Sequence, residues 1–172
     1  MNETLKTLIG RRSVRSYKKE QVPKEIVEQI LEAGKYAPSG MGLQPTVMVV
    51  VRDPETIAQL SRMNAAVMGG SNDPFYGAPT VVVVFADSTK STCVEDGSLV
   101  MGNLMNAAFS LGVDSCWINR ARESFQTEEG RALMKKWGLG EVYIGIGNCI
   151  LGYADQPLAQ AKPRKDDFVI WA

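Results

Sequence analysis

The run Val81-Val82-Val83-Val84-Phe85 constrains this chain more than any other segment. It has no polar alternation, so it reads as a strand buried in a core. Such a strand needs a sheet beside it and other elements over it. Thr46 to Val51 is a second β-branched run and reads as another buried strand. Ser115 to Ile118 is a short apolar strand. Val142 to Leu151 alternates apolar residues with glycine, again as a strand does.

Helical spacing fills the intervals. Leu5, Leu8 and Ile9 follow a candidate cap at Asn2, and the first helix ends near Gly10. Pro23 opens a second helix, striped by Ile26, Val27, Ile30 and Leu31 and closed by Gly34. A third starts at Pro54 and runs to about Met68. Val94 to Leu111 is long and carries Gly97, Ser98, Gly102, Ala107 and Ala108. Small residues let another backbone approach, so this helix is central, or at an interface, or both. Thr127 caps a further helix whose inner side is Leu133, Met134 and Trp137. The tail Asp167–Trp171 is apolar, and a terminal strand needs a sheet edge, its own or a partner's. The layout is α+β, one domain, with no internal repeat and no linker.

Composition narrows the chemistry. The chain has 172 residues, long enough to bury a core. Its 19 Lys plus Arg balance 19 Asp plus Glu, which argues against a nucleic-acid binder. No apolar run reaches the ~18 residues of a membrane span. The N-terminus has no basic region ahead of an apolar stretch, and the reading is a cytoplasmic protein without a membrane partner. Cys93, Cys116 and Cys149 are odd in number and far apart, as free thiols in a reducing compartment are. There is no histidine. That removes Ser-His and Cys-His nucleophiles and every His-based metal site. No metal ligand set and no catalytic side chain stand out, so a cofactor is expected to carry any chemistry. No G-x-G-x-x-G follows a strand, and no phosphate loop is present.

One cluster answers that expectation. Arg11-Arg12-Ser13-Val14-Arg15-Ser16-Tyr17 places three guanidinium groups and two hydroxyls just beyond the first helix. Guanidinium forks match phosphate oxygens in shape and charge. A second basic pair, Lys162-Pro163-Arg164, comes late in the chain. Two such clusters in a chain of zero net charge suggest a compact phosphate site. A solvated basic turn is the plainer alternative for the first.

Taken together, the motifs resemble the FMN-dependent nitroreductases over nearly the whole chain. The resemblance rests on Arg11–Tyr17, on Ala37-Pro38-Ser39-Gly40 with Gln44-Pro45, and on Phe75-Tyr76-Gly77-Ala78-Pro79-Thr80. It rests also on Leu111-Gly112 with Ser115–Ile118, and on Leu151-Gly152-Tyr153 with Lys162–Arg164. The chain is similar to the short members that lack the larger insertions. The resemblance implies a three-layer fold, a central mixed sheet flanked by helices. It implies an obligate homodimer with FMN at the subunit interface and a tail, about 154–172, that reaches the partner.

It assigns Arg11, Arg12, Ser13 and Arg15 to FMN, with Lys162 and Arg164 as a second phosphate-binding pair. Pro38, Ser39, Gly40, Gly42 and Gln44 belong to the loop that approaches the flavin from the other subunit. Gly40 and Gly42 would let backbone come close to the ring. Ile118 and Asn119 match the segment whose backbone faces the reactive edge. Asn64 is a candidate for the pyrimidine edge, or else a residue of a helix surface. Two departures stand out: Gly42 where the family often has Asn, and Thr46 where it often has an aromatic residue.

The activity implied is ping-pong transfer from NADH or NADPH to a small acceptor such as a nitroaromatic or quinone. Dehalogenation, enoate reduction, FMN binding without turnover and a flavin-free dimer are the alternatives.

Overall fold

The computed structural model of the chain describes residues 1–172. Ten elements follow one another: α1 (Glu3–Gly10), α2 (Lys24–Lys35), β1 (Thr46–Val51), α3 (Pro54–Val67), β2 (Thr80–Asp87), α4 (Cys93–Ser110), β3 (Asp114–Ile118), α5 (Ala121–Gln126), α6 (Glu128–Lys136) and β4 (Tyr143–Gly152). A single 3-10 turn, Gly40–Gly42, lies between α2 and β1. Several starts are set by local chemistry. The Asn2 side chain accepts from the Leu5 N–H, that of Asp53 from Thr56, and that of Thr127 from Gly130.

The strands form one sheet in the order β1-β2-β4-β3. β2 is central, and Val81 through Phe85 are all fully buried. Its two faces serve two cores. Val81, Val83 and Phe85 pack with Leu60 and Met63 of α3, Phe125 of α5, and Leu133 and Met134 of α6. Val82 and Val84 pack with Val27 and Ile30 of α2 and with Val100, Met101 and Leu104 of α4. Helices therefore cover both faces, which is why β2 shows no polar alternation. The three layers expected are present.

Four details differ from the sequence reading. Every pairing among the four strands is antiparallel. The parallel part of the expected mixed sheet comes down to one bridge, Ser13 to Ser115. β1 is an edge strand, half-buried along most of its length, because only β2 flanks it. The six-residue α5 was not anticipated. The tail forms no strand on its own sheet: residues 155–172 are exposed, and Trp171 is 95% exposed.

α4 lies close to the sheet because Gly97 has no side chain. A Cβ there would stand 2.6 Å from Cγ1 of Ile146. Ile146 sits at a bulge, where the β2–β4 register slips between Val84 and Phe85. No helix is long and apolar enough to cross a membrane.

Candidate cofactor site

The arginine cluster begins where α1 stops. Arg11 caps the helix with its N–H on the Thr7 carbonyl at 3.0 Å, then turns extended. The next residues are sewn onto the sheet. The Val14 N–H donates to Ser115 O, the Lys18 N–H to Tyr153 O, and the Asp155 N–H to Ser16 O. Val14 and Tyr17 point into the core, which leaves Ser13 and Arg15 exposed. The Tyr17 hydroxyl donates to Val14 O at 2.9 Å, and burial raises its pKa well above the usual phenol value.

Arg11 and Arg12 are both half-buried. Nη1 of Arg12 donates to Ile9 O and Arg11 O, each at 2.7 Å. Its Nε, and Nη1 of Arg11, are buried with no acceptor. Neither guanidinium is ion-paired: the four salt bridges of the chain are made by Lys6, Lys24, Lys35 and Lys90. Two adjacent cations with orphaned, inward-facing donors are costly without an anion. A phosphate would supply both the charge and the acceptors, so these residues fit the group assigned to them.

The loop Pro38–Gln44 is shaped by hydrogen bonds and by backbone of the left-handed kind. The Gln44 N–H donates to Oγ of Ser39 at 3.0 Å. Met41 (φ 52), Gly42 (φ 67) and Gln44 (φ 49) are all left-handed. The Gly40 N–H donates to Oδ1 of Asp96 at 2.9 Å. Gly40 also has a reason to be glycine within its own chain: a Cβ there would stand 2.3 Å from Oγ1 of Thr92.

The third piece lies at the end of β3. Ile118 is buried, Asn119 is exposed, and Arg120 is left-handed (φ 69) ahead of α5. Two buried amides grip the carbonyls here. Nδ2 of Asn64 donates to Asn119 O at 2.7 Å, and Nδ2 of Asn148 to Ile118 O at 3.4 Å. The N–H groups of Asn119 and Arg120 donate to no other backbone group. Asn64 is 1% exposed, so the helix-surface alternative is removed. Its Oδ1 is buried and unpartnered, an acceptor suited to a ring N–H such as a pyrimidine edge carries.

Lys162 and Arg164 are not brought to this region. They lie in the exposed tail, where Nη1 of Arg164 donates to the Lys162 carbonyl. A groove of about 570 Å³ beside α3, lined by Lys19, Gln21, Ser61, Arg62 and Asp73 among others, contains none of the assigned residues. Asp96 and Asn148 hold the site's segments and were not anticipated. The one signal for Asp96 was a carboxylate in a helix otherwise rich in small and apolar residues; Asn148, inside an apolar strand, gave a similar one.

Comparison with known proteins places these features. A family model described as the nitroreductase family matches residues 8–69. A protein of Archaeoglobus fulgidus, provisionally named NADH dehydrogenase/NAD(P)H nitroreductase, is 35% identical over 89% of this chain and 86% of its own length. An FMN reductase (NAD(P)H) of Bacillus subtilis is 29% identical over 84% of the chain, which spans only 55% of that protein. A nitroreductase with bound FMN from Bacteroides fragilis superposes with a TM-score of 0.92 at 31% identity, over the whole of both chains. One from Desulfitobacterium hafniense gives 0.90 at 28%, again over both whole chains.

Proposed function

The chain belongs to the nitroreductase family, and from that premise we propose that it is an FMN-dependent oxidoreductase that spends NADH or NADPH on small oxidised acceptors. The observation that carries this reading is the pair Arg11 and Arg12, unpaired cations with buried donors that lack an acceptor. Relatives point the same way, one named an FMN reductase and others solved with FMN bound.

Within the chain the labour divides. Arg11, Arg12, Ser13 and Arg15 hold the phosphate end. Asn64 offers Oδ1 to the ring edge while its Nδ2 steadies the Asn119 carbonyl. The free N–H groups at the end of β3 are donors available to a ring atom that gains negative charge. Bound FMN would supply the redox chemistry between nicotinamide and acceptor. No side chain of this chain is assigned a proton transfer.

Lys162, Arg164 and the loop Pro38–Gln44 complete a site that two copies of the chain share. The tail's exposed apolar end supports that assembly, since an exposed run of Phe168, Val169, Ile170 and Trp171 asks for a cover. Nitroaromatics and quinones are the acceptors proposed, used at one opening in turn with the nicotinamide. A shallow stacking site offers few shaped contacts, so efficiency follows reduction potential more than bulk. Three free, buried thiols fit a reducing compartment, and we place the protein in the cytoplasm.

The test is an anaerobic titration of the FMN-loaded protein with NADH and then NADPH, followed by addition of a quinone. Bleaching of the visible flavin band and its return with the acceptor are expected. A protein that binds FMN yet is bleached by neither nicotinamide is a flavin carrier, and a protein that takes up no FMN ends the reading altogether.

A further inference from the structure

Asp96 is the only charged side chain of the chain that is buried, at 3% exposure. No cation lies within ion-pair distance of it; the salt bridges all involve other residues. An unpaired carboxylate taken out of water is costly unless its oxygens are fully engaged. They are engaged by two neutral donors. The Gly40 N–H reaches Oδ1 at 2.9 Å, and the Thr92 hydroxyl reaches Oδ2 at 2.9 Å. Asp96 also lies in the first turn of α4, where the helix field favours a negative charge.

The segment held by this buried charge is itself mostly outside the core. Met41 is 89% exposed, and Gly42, Leu43 and Gln44 are exposed too. Three of the five residues Gly40–Gln44 have positive φ, two of them not glycine. Such a loop keeps its conformation only if its surroundings hold it. It is held at one end by Ser39 and Gln44 closing on each other, and at Gly40 by Asp96. The absent Cβ of Gly40 lets the backbone seat against Thr92, the same residue that donates to the carboxylate. A buried charge invested in an exposed loop points to the position of the loop, not to the filling of a core.

We propose that Asp96 is a positioning residue for the flavin site: from α4 it fixes the Gly40 N–H, and with it the height at which the Pro38–Gln44 loop meets the flavin ring. This rests on the FMN reading. It makes a prediction that reading does not make, because the loop is assigned to the ring and the arginines to the phosphate.

The experiment is titration of the full-length protein with FMN and with riboflavin, alongside thermal unfolding of the flavin-free form. For Asp96→Ala, both dissociation constants are expected to rise by the same factor, about 10- to 100-fold, as loss of a hydrogen bond to a charged group implies. The visible circular dichroism of the flavin at saturation should change with it. Asp96→Asn keeps an oxygen for the Gly40 N–H and should bring both constants back to within about threefold of wild type. If Asp96→Ala does not fold, Thr92→Val carries the test. It removes the hydroxyl from the carboxylate while a methyl of similar size keeps the surface on which Gly40 seats, and both constants should rise by about three- to tenfold.

A folded variant that binds both flavins as wild type does, with an unchanged flavin spectrum, overturns the proposal. So does a loss confined to FMN, which would mean that Asp96 acts on the phosphate. An Asp96→Asn protein as weak as Asp96→Ala would also overturn it, since charge and not hydrogen bonding would then be at work. A wild-type protein that binds neither flavin overturns the FMN reading, and this proposal with it.

Discussion

Arg11 and Arg12 stand side by side and do different things. Arg12 spends Nη1 on the carbonyls of Ile9, in the last turn of α1, and of Arg11 just beyond it, a cap as much as a ligand contact. Arg11 keeps a buried Nη1 with nothing to bind. Arg11→Ala should therefore weaken FMN by roughly 10- to 100-fold and riboflavin far less, with the melting temperature of the flavin-free protein little changed. Arg12→Ala should lower that melting temperature as well, because α1 loses its cap. Paired calorimetric titrations check both, and equal losses for the two flavins would show that Arg11 does not read a phosphate. The cluster was plain in the sequence because three arginines in five residues is a charge pattern. The division between them was not, since it depends on which carbonyls α1 leaves free. Asn64 illustrates the same limit. Its amide was visible in the sequence, but its burial comes from the turn after β3 and from α5, which arrive against α3.

Among the elements, the boundaries of β1, α3 and α6 were legible because Val and Thr runs, Pro54 and the Thr127 cap are local signals. α5 was hidden. It is six residues long, it starts from a left-handed Arg120, and its apolar face is only Ala121 and Phe125. Half-burial of β1 was equally hidden, because strand order is a property of the whole sheet. α4 offers a direct test of the shared site. A side chain at Gly102 would meet nothing within 4 Å in the single chain, and alanine there should favour the helix by up to about 1 kcal/mol. Gly102→Leu should nonetheless weaken self-association strongly if α4 lies on the two-fold axis. Sedimentation across a concentration series measures it, and an unaltered dimer would take α4 off the interface. The tail makes a companion case. Removing residues after Asp166 deletes Phe168, Val169, Ile170 and Trp171, all exposed. The shortened protein should shift toward monomer and lose flavin on gel filtration, and one that stays dimeric and yellow would free the tail of any such role.

For the whole molecule, the two cores on either side of one sheet set the response to pH. Burial, reinforced by the nearby Cys116, holds the Cys149 thiol up to about 12, against an ordinary value of 9.0, while the Arg11 guanidinium pulls it weakly down. The Tyr17 phenol is raised in the same sense, first by burial. The folded chain thus keeps protons that the unfolded chain releases. The associated stability is whole below about pH 9 and is lost as pH climbs toward 12. Urea midpoints should fall along that alkaline limb. Cys149→Ala should delay the onset toward the tyrosine's ordinary value of 10.0, and an unchanged limb would remove Cys149 from the account. With no histidine in the chain, no imidazole contributes to the profile near neutrality.

The same layering sorts the sulfur atoms. Cys93, Cys116 and Cys149 are all sealed inside. The sulfur-bearing side chain left most open to solvent is Met41, on the loop that Asp96 holds. An oxidoreductase working in air meets peroxide. Here the wear falls on a thioether that repair enzymes can restore, and not on thiols whose further oxidation is permanent. Peroxide treatment should therefore leave a sulfoxide at Met41 before any of the three thiols reacts, and peptide mass mapping would show it.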